Sequence, residues 1–134
     1  MILLLYSNNN KMSSKALVEF FFSIEKSIKL YHWQTKFYSR HKSTDSLVDI
    51  IASIADKFME TYQGKYGKLS LSSTQVNVTT LNDSNVVSYL EEVVSVLESF
   101  VAKGFVSEKD TDLLNIRDEL LGEINKAIYL FTFQ

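Results

Sequence analysis

The chain has 134 residues, 46% of them hydrophobic and 22% charged, with a net charge of −2. That balance suits one globular domain with one core and argues against a disordered chain. It supplies no global positive field for nucleic acid or an anionic membrane, and the absence of cysteine excludes disulfides and thiolate metal sites without naming a compartment.

With no proline and four glycines, few elements need breaking, which favours long helices over many short strands. Residues 1–12 read as a tail and residues 13–134 as a single domain. The apolar run Ile2–Tyr6 is too short for a signal-peptide core and has no basic flank or small-residue cleavage site. No stretch approaches the ~20 apolar residues of a membrane span. A cytoplasmic protein with no membrane partner is the expectation.

Ser13 and Ser14 can cap a helix that begins near Lys15. Leu17, Phe21, Ile24, Ile28 and Tyr31 recur at helical spacing and form its core stripe, widened by Phe20 and Phe22. The helix is expected to reach about Tyr38, with a tight turn at Ser39 and Arg40. A second helix over 42–65 carries Leu47, Ile50, Ile51, Ile54 and Phe58 inward, and Gly64 and Gly67 suit its exit.

Residues 68–82 break the helical period, because Leu69, Leu71, Val76 and Val78 alternate with polar residues. An extended segment or small hairpin is expected there. Some 15 extended residues reach about 50 Å, and a 24-residue helix is about 36 Å long. The segment can therefore run the length of a bundle and start the third helix parallel to the second. The fold class expected is all-α, a ferritin-like four-helix bundle with a long extended crossover between helices 2 and 3. The third helix is expected over 85–103, ended by Gly104. The fourth follows Ser107–Asp110, which resembles a capping box.

The chemistry concentrates between His32 and Glu60. This stretch holds both histidines and the only tryptophan, Trp33. His41, Asp45, Asp56 and Glu60 follow one another at spacings of 4, 11 and 4 residues. At 3.6 residues per turn they fall within about 100° of one another on one helix face. The Glu-x-x-His pairs of a bundle-core di-iron site are absent, and the second half of the chain has no histidine. His41 and Glu60 stand about 28 Å apart along the helix, so one ion cannot bridge both pairs of one chain.

The pattern is symmetric about the midpoint between Ile50 and Ile51. Two copies packed antiparallel about a two-fold axis bring His41 and Asp45 of one opposite Glu60 and Asp56 of the other. Ala52 and Ser53 allow close approach. His32 joins if the turn before His41 is tight. Each of two sites then takes His32, His41 and Asp45 from one chain and Asp56 and Glu60 from its partner. Mixed imidazole and carboxylate ligation suits iron(II), and also zinc or manganese. Against this stand plainer roles: Asp45 as a helix-start residue, Asp56 and Glu60 as a solvated face with Lys57, and Glu25 as a surface residue.

His32-Trp33, His41-x-x-x-Asp45 and Asp56-x-x-x-Glu60 resemble the ferroxidase centre of the Dps family, small ferritin-like proteins named for DNA protection in starved cells. The resemblance covers about 30 residues. It implies iron ligands at His32, His41, Asp45, Asp56 and Glu60, a redox or radical-quenching role for Trp33, and peroxide or dioxygen as oxidant. Tyr62–Gly67 also resembles a motif of small Dps-like proteins of large DNA viruses, which implies a host-cytoplasm or virion setting. The turn before His41 is shorter than the family's, and it lacks the family's glycine and hydrophobic residues. The crossover lacks the family's short helix, which speaks against its twelve-subunit cage. Without a lysine-rich tail, DNA is the least supported partner. The expectation is a Dps-like ferroxidase acting in iron detoxification, assembled as a homodimer through helix 2. The alternative is a non-catalytic dimeric or virion-associated structural protein on the same fold, with a zinc-filled or empty site.

Overall fold

Ser13 starts the first helix through its side chain, which accepts the Ala16 N–H at 3.1 Å. That helix, α1, spans Ser14–Gln34 in a computed structural model that describes residues 12–133. It is followed by α2 (Tyr38–Tyr66), α3 (Val86–Glu98) and α4 (Thr111–Leu130), and no strand occurs among the described residues. The chain is all-α with four helices, as its periodicities imply. The expectations for Ile2–Tyr6 and the rest of residues 1–11 lie outside the described residues. Met12 is buried, and its N–H donates to the Lys103 carbonyl at 3.1 Å.

The α1 stripe of Leu17, Phe21, Ile24, Ile28 and Tyr31 is buried, as are Leu47, Ile51, Ile54 and Phe58 of α2. α2 packs between α1 and α4, and α4 also packs on α3. Aromatic rings close the end of the core where α2 leaves it. Phe58 meets Phe21, Phe100 and Phe105 at ring separations of 5.3, 5.8 and 5.7 Å. Phe20 is also buried, against Phe100, whereas Phe22 is 45% exposed and widens the outer surface rather than the core.

Three boundaries depart from the sequence expectation. The α1–α2 turn sits at Thr35–Phe37, and Ser39 and Arg40 are already helical. Contacts distant in sequence set this turn. Asp83 accepts the Thr35 hydroxyl (2.6 Å), the Lys36 N–H (3.1 Å) and the Tyr31 hydroxyl (2.7 Å). α3 ends at Glu98 rather than 103, and residues 99–104 form turns. The Ser99 hydroxyl donates to the Val96 carbonyl at 2.6 Å, a local bond that competes with the helical ladder. At α4, Asp110 is the N-cap residue but its side chain makes no capping bond. Its carboxylate instead accepts the Val106 N–H, pairs with Lys65 at 3.4 Å and bonds the Tyr66 hydroxyl. Gly67 ends α2 with a φ of 98°, which glycine adopts freely, while Gly64 lies inside the helix.

Residues 67–85 carry no regular element beyond isolated turns. Part of this segment lies along α1. The Gln75, Asn77 and Thr79 N–H groups donate to Glu19 Oε2, Ser23 Oγ and Ser27 Oγ in turn. Two extended residues rise about 6.6 Å, and four helical residues about 6 Å. One polar side chain per helical turn of α1 therefore meets every second amide of the extended segment. Ser23 and Ser27, polar residues buried among the apolar side chains of α1, have their partners here. Leu81 then enters the core, and Asp83 closes the far end against Tyr31 and Thr35.

Candidate metal centre

The short α1–α2 turn brings the two histidines together. His32 lies in the last turn of α1 and His41 in the first turn of α2. Their rings stack with centroids 4.0 Å apart and planes 13° from parallel. Arg40 holds this corner. Its guanidinium donates to the Tyr31 hydroxyl (3.2 Å), the Asp83 carbonyl (3.0 Å) and the Phe131 carbonyl (3.0 Å). Phe131, just past α4, packs on Tyr31 at 6.0 Å. The last residues of the described chain thus clamp the turn that places the histidines.

Each histidine has one nitrogen committed. His41 Nδ1 lies 2.9 Å from the His32 carbonyl, an oxygen that can only accept, so Nδ1 carries the proton. His32 Nδ1 lies 2.9 Å from Thr44 Oγ1. The Thr44 hydroxyl gives its own proton to the Arg40 carbonyl at 2.7 Å, so its oxygen accepts from His32. A neutral ring in either position is therefore the Nδ1–H tautomer, with its lone pair on Nε2. His32 Nε2 lies 3.7 Å from Asp45 Oδ1. His32 is buried, while His41 and Asp45 are exposed. These Nδ1 bonds are of the kind a metal-binding histidine makes, since such a ring commonly donates its second N–H to a carbonyl, a carboxylate or water.

The other half of the expected ligand set lies further along α2. Asp56 and Glu60 are exposed on the same helix face as His41 and Asp45. A hydrogen bond that the protonated Glu60 carboxyl donates to the Asp56 carboxylate, together with the repulsion of the Asp56 charge, raises Glu60 above its ordinary range. Two carboxylates this close favour a proton or a cation between them. Within one chain the two halves do not meet. Among the described residues, no three histidine, aspartate or glutamate side chains gather into a set that could hold a metal ion. The structure brings His32, His41 and Asp45 to one end of α2 and leaves Asp56 and Glu60 at the other.

Trp33 is 67% exposed beside the histidine half, with Lys29 Nζ 5.7 Å from its ring centroid. Glu25, expected at the surface, is largely covered and pairs with Lys26 at 2.8 Å. It lines an apolar groove of about 400 Å³ with Phe21, Phe22, Ala52, Asp56 and Met59.

Sequence reasoning missed two parts of the site. One is Thr44, whose only local signal is its position three residues after His41 on the inward side of α2. The other is the Arg40–Asp83 clamp, whose members are 43 residues apart. Among the described residues no helix is long and apolar enough to cross a membrane.

No curated protein and no solved structure matches the chain. A family model does match, over residues 32–131, about three-quarters of the sequence. The matched span holds both histidines, both carboxylate pairs, Thr44 and every member of the corner clamp except Tyr31, and the chain belongs to this family of unknown function, DUF5856.

Proposed function

We propose that the protein is a Dps-like, ferritin-fold ferroxidase whose site assembles only between two chains. The observation that carries the reading is the stacked histidine pair with both Nδ1 atoms engaged. Each imidazole keeps its Nε2 for a ligand, and that of His32 lies 3.7 Å from Asp45. The donor chemistry fits iron(II), with zinc or manganese as competitors. His32, His41 and Asp45 of one chain and Asp56 and Glu60 of its partner are the ligands in this reading. The contacts of residues 75–83 along α1 support a ferritin-like crossover that starts α3 parallel to α2.

Iron(II) is the substrate. Two ferrous ions each lose one electron, and hydrogen peroxide takes both with two protons and leaves as water. The chain's own residues position and insulate the site. Thr44 and the His32 carbonyl aim the imidazoles, the Arg40 corner fixes the turn, and Trp33 stands where it can intercept a stray oxidant. Ligation needs neutral imidazoles and ionised carboxylates, so binding releases protons and weakens as the solution is made more acid.

Anaerobic iron(II) titration followed by peroxide tests the activity, and mixing tests the two-chain site. His41→Ala/Asp45→Ala and Asp56→Ala/Glu60→Ala variants are each expected to lack the ferric absorbance change. A mixture of the two regains it, because one site of each mixed dimer keeps all its ligands. Wild-type protein without a ferric signal sinks the enzyme reading; zinc-linked dimerisation without turnover puts the structural alternative in its place. Inactive variants that stay inactive when mixed, although mixed dimers form, sink the shared site.

A further inference from the structure

Two features of the outer surface lie beside the ligand set. One is the 67% exposed indole of Trp33, and the other is the apolar groove between α1, α2 and the extended segment. We propose that the groove of one copy receives Trp33 of a second copy. This rests on the two-fold packing proposed above and adds a docking contact to it.

The register of the helices carries the argument. His32 bonds Thr44 and Phe21 packs on Phe58, so α1 runs antiparallel to α2 and Trp33 lies level with Ser43 and Thr44. The two-fold centred between Ile50 and Ile51 places that level opposite Lys57 and Phe58 of the partner copy. The groove is lined there by Ala52, Ala55, Asp56 and Met59 from α2 and by Phe21 and Phe22 from α1.

The surfaces also match in kind. Val18, Phe21, Phe22, Met59 and Leu69 give the groove an apolar wall, and its volume falls in the range of pockets that enclose small organic ligands, roughly 300–1,000 Å³. Phe22 is a costly residue to leave 45% exposed, and so is the tryptophan. The ammonium of Lys29 travels with the indole, and the groove's rim carries the Glu25 and Asp56 carboxylates. Tryptophan is enriched among the residues that dominate association energies, where it fills a desolvated pocket. One chain presents both the knob and the hole, at mirror-related levels, so a closed dimer contains the contact twice.

Trp33 is the only tryptophan, so its fluorescence reports the contact directly. Metal-free protein is followed by emission, acrylamide quenching and sedimentation over a dilution series. The expected result is a long-wavelength, readily quenched indole in the monomer. On dimerisation the emission shifts to shorter wavelength and quenching falls several-fold. Trp33→Ala weakens dimerisation by at least about tenfold. Phe22→Glu, which alters the groove from the α1 side, weakens it as well and keeps the residual dimer's emission at long wavelength, with helix content checked by circular dichroism. A dimer whose indole stays as exposed as in the monomer overturns this contact while leaving the shared metal site standing. An indole already shielded at the lowest concentration, with the groove filled by the chain's own residues 1–11, also overturns it. Protein that stays monomeric at all concentrations, with or without zinc, overturns both the contact and the reading it rests on.

Discussion

Thr44→Val is the substitution that separates a metal-binding histidine pair from a structural one. Valine keeps the shape of threonine but removes the oxygen that accepts the His32 Nδ1 proton and donates to the Arg40 carbonyl. Thr44 is fully buried and His32 is 6% exposed, so water does not readily replace the lost partner. An unsatisfied buried N–H costs about 1–3 kcal/mol. The imidazole can avoid part of that cost by moving its proton to Nε2, which faces Asp45 at 3.7 Å. That tautomer has no lone pair left at Nε2 for a metal. The folded protein is therefore expected to lose about 1–2 kcal/mol of stability, and metal affinity is expected to fall about 10- to 100-fold. Long-range 1H–15N NMR of the metal-free protein reads the tautomer, and anaerobic titration with iron(II) or cobalt(II) reads the affinity. An Nε2–H tautomer at His32 in wild type, or unchanged affinity in a folded Thr44→Val variant, refutes the reasoning.

Further substitutions at Asp83, Asp56 and Phe58 probe the rest of the structure. Asp83→Ala removes the acceptor shared by Tyr31, Thr35 and Lys36 and is expected to cost about 3 kcal/mol in urea unfolding. Burial pushes the Asp83 carboxyl up, but the bonds from Thr35, Tyr31 and Lys36 and the charge of Arg40 hold it below its usual range. Its stabilisation is thus complete above an unfolded value of about 3.9 and is lost as pH falls through the lower folded value, an acid slope that Asp83→Asn lacks. Glu60 behaves oppositely: its raised pKa means that stability declines as pH rises through it, and Asp56→Asn is expected to return its NMR titration toward the ordinary range. Phe58→Ala empties the centre of the Phe21–Phe100–Phe105 cluster and is expected to cost about 3–5 kcal/mol, measured by thermal or urea unfolding.

Much of the helical plan is legible in the chain because the apolar stripes repeat without interruption. Leu17 to Tyr31 are read correctly from their spacing alone, and so are the Ser13 cap and Leu47 to Phe58 except Ile50, which is only half-buried at the edge of the core. The misplaced boundaries are those fixed from a distance. Ser39 and Arg40 look like a turn locally, yet Asp83 stabilises the chain reversal at Thr35–Phe37 and Arg40 is needed inside. Ser107–Asp110 has capping-box spacing, but the lysine and tyrosine at the end of α2 compete for the same carboxylate. The metal half-sites follow the same division. Their residue types and register show in the sequence, because a helix turns spacing into angle. The Nδ1 bonds of His32 and His41, on which the proposed ligand role rests, are made to Thr44 and a backbone carbonyl, and no spacing rule reports those.

The separation of the two half-sites has a physical consequence for control. In a single chain, the histidine half presents two free nitrogen lone pairs and one carboxylate, while the other half keeps two carboxylates in mutual repulsion. Neither is a strong site alone, and each gains what it lacks from the other. The histidine end has a single carboxylate, too little charge to balance a divalent cation, and the Asp56–Glu60 end lacks a partner for the charge it has. In the proposed two-fold dimer a divalent cation relieves that repulsion and bridges the chains, so metal binding and dimerisation must strengthen each other by the same factor. Under that proposal dilute monomer is expected to bind iron weakly, and iron is expected to promote the assembly that oxidises it. The linkage is measurable in either direction: the dimer dissociation constant falls with added zinc by the same ratio as the zinc dissociation constant falls on dimerisation. Asp56→Asn, which removes a ligand and the repulsion together, is expected to lower that ratio even where it leaves metal-free dimerisation intact.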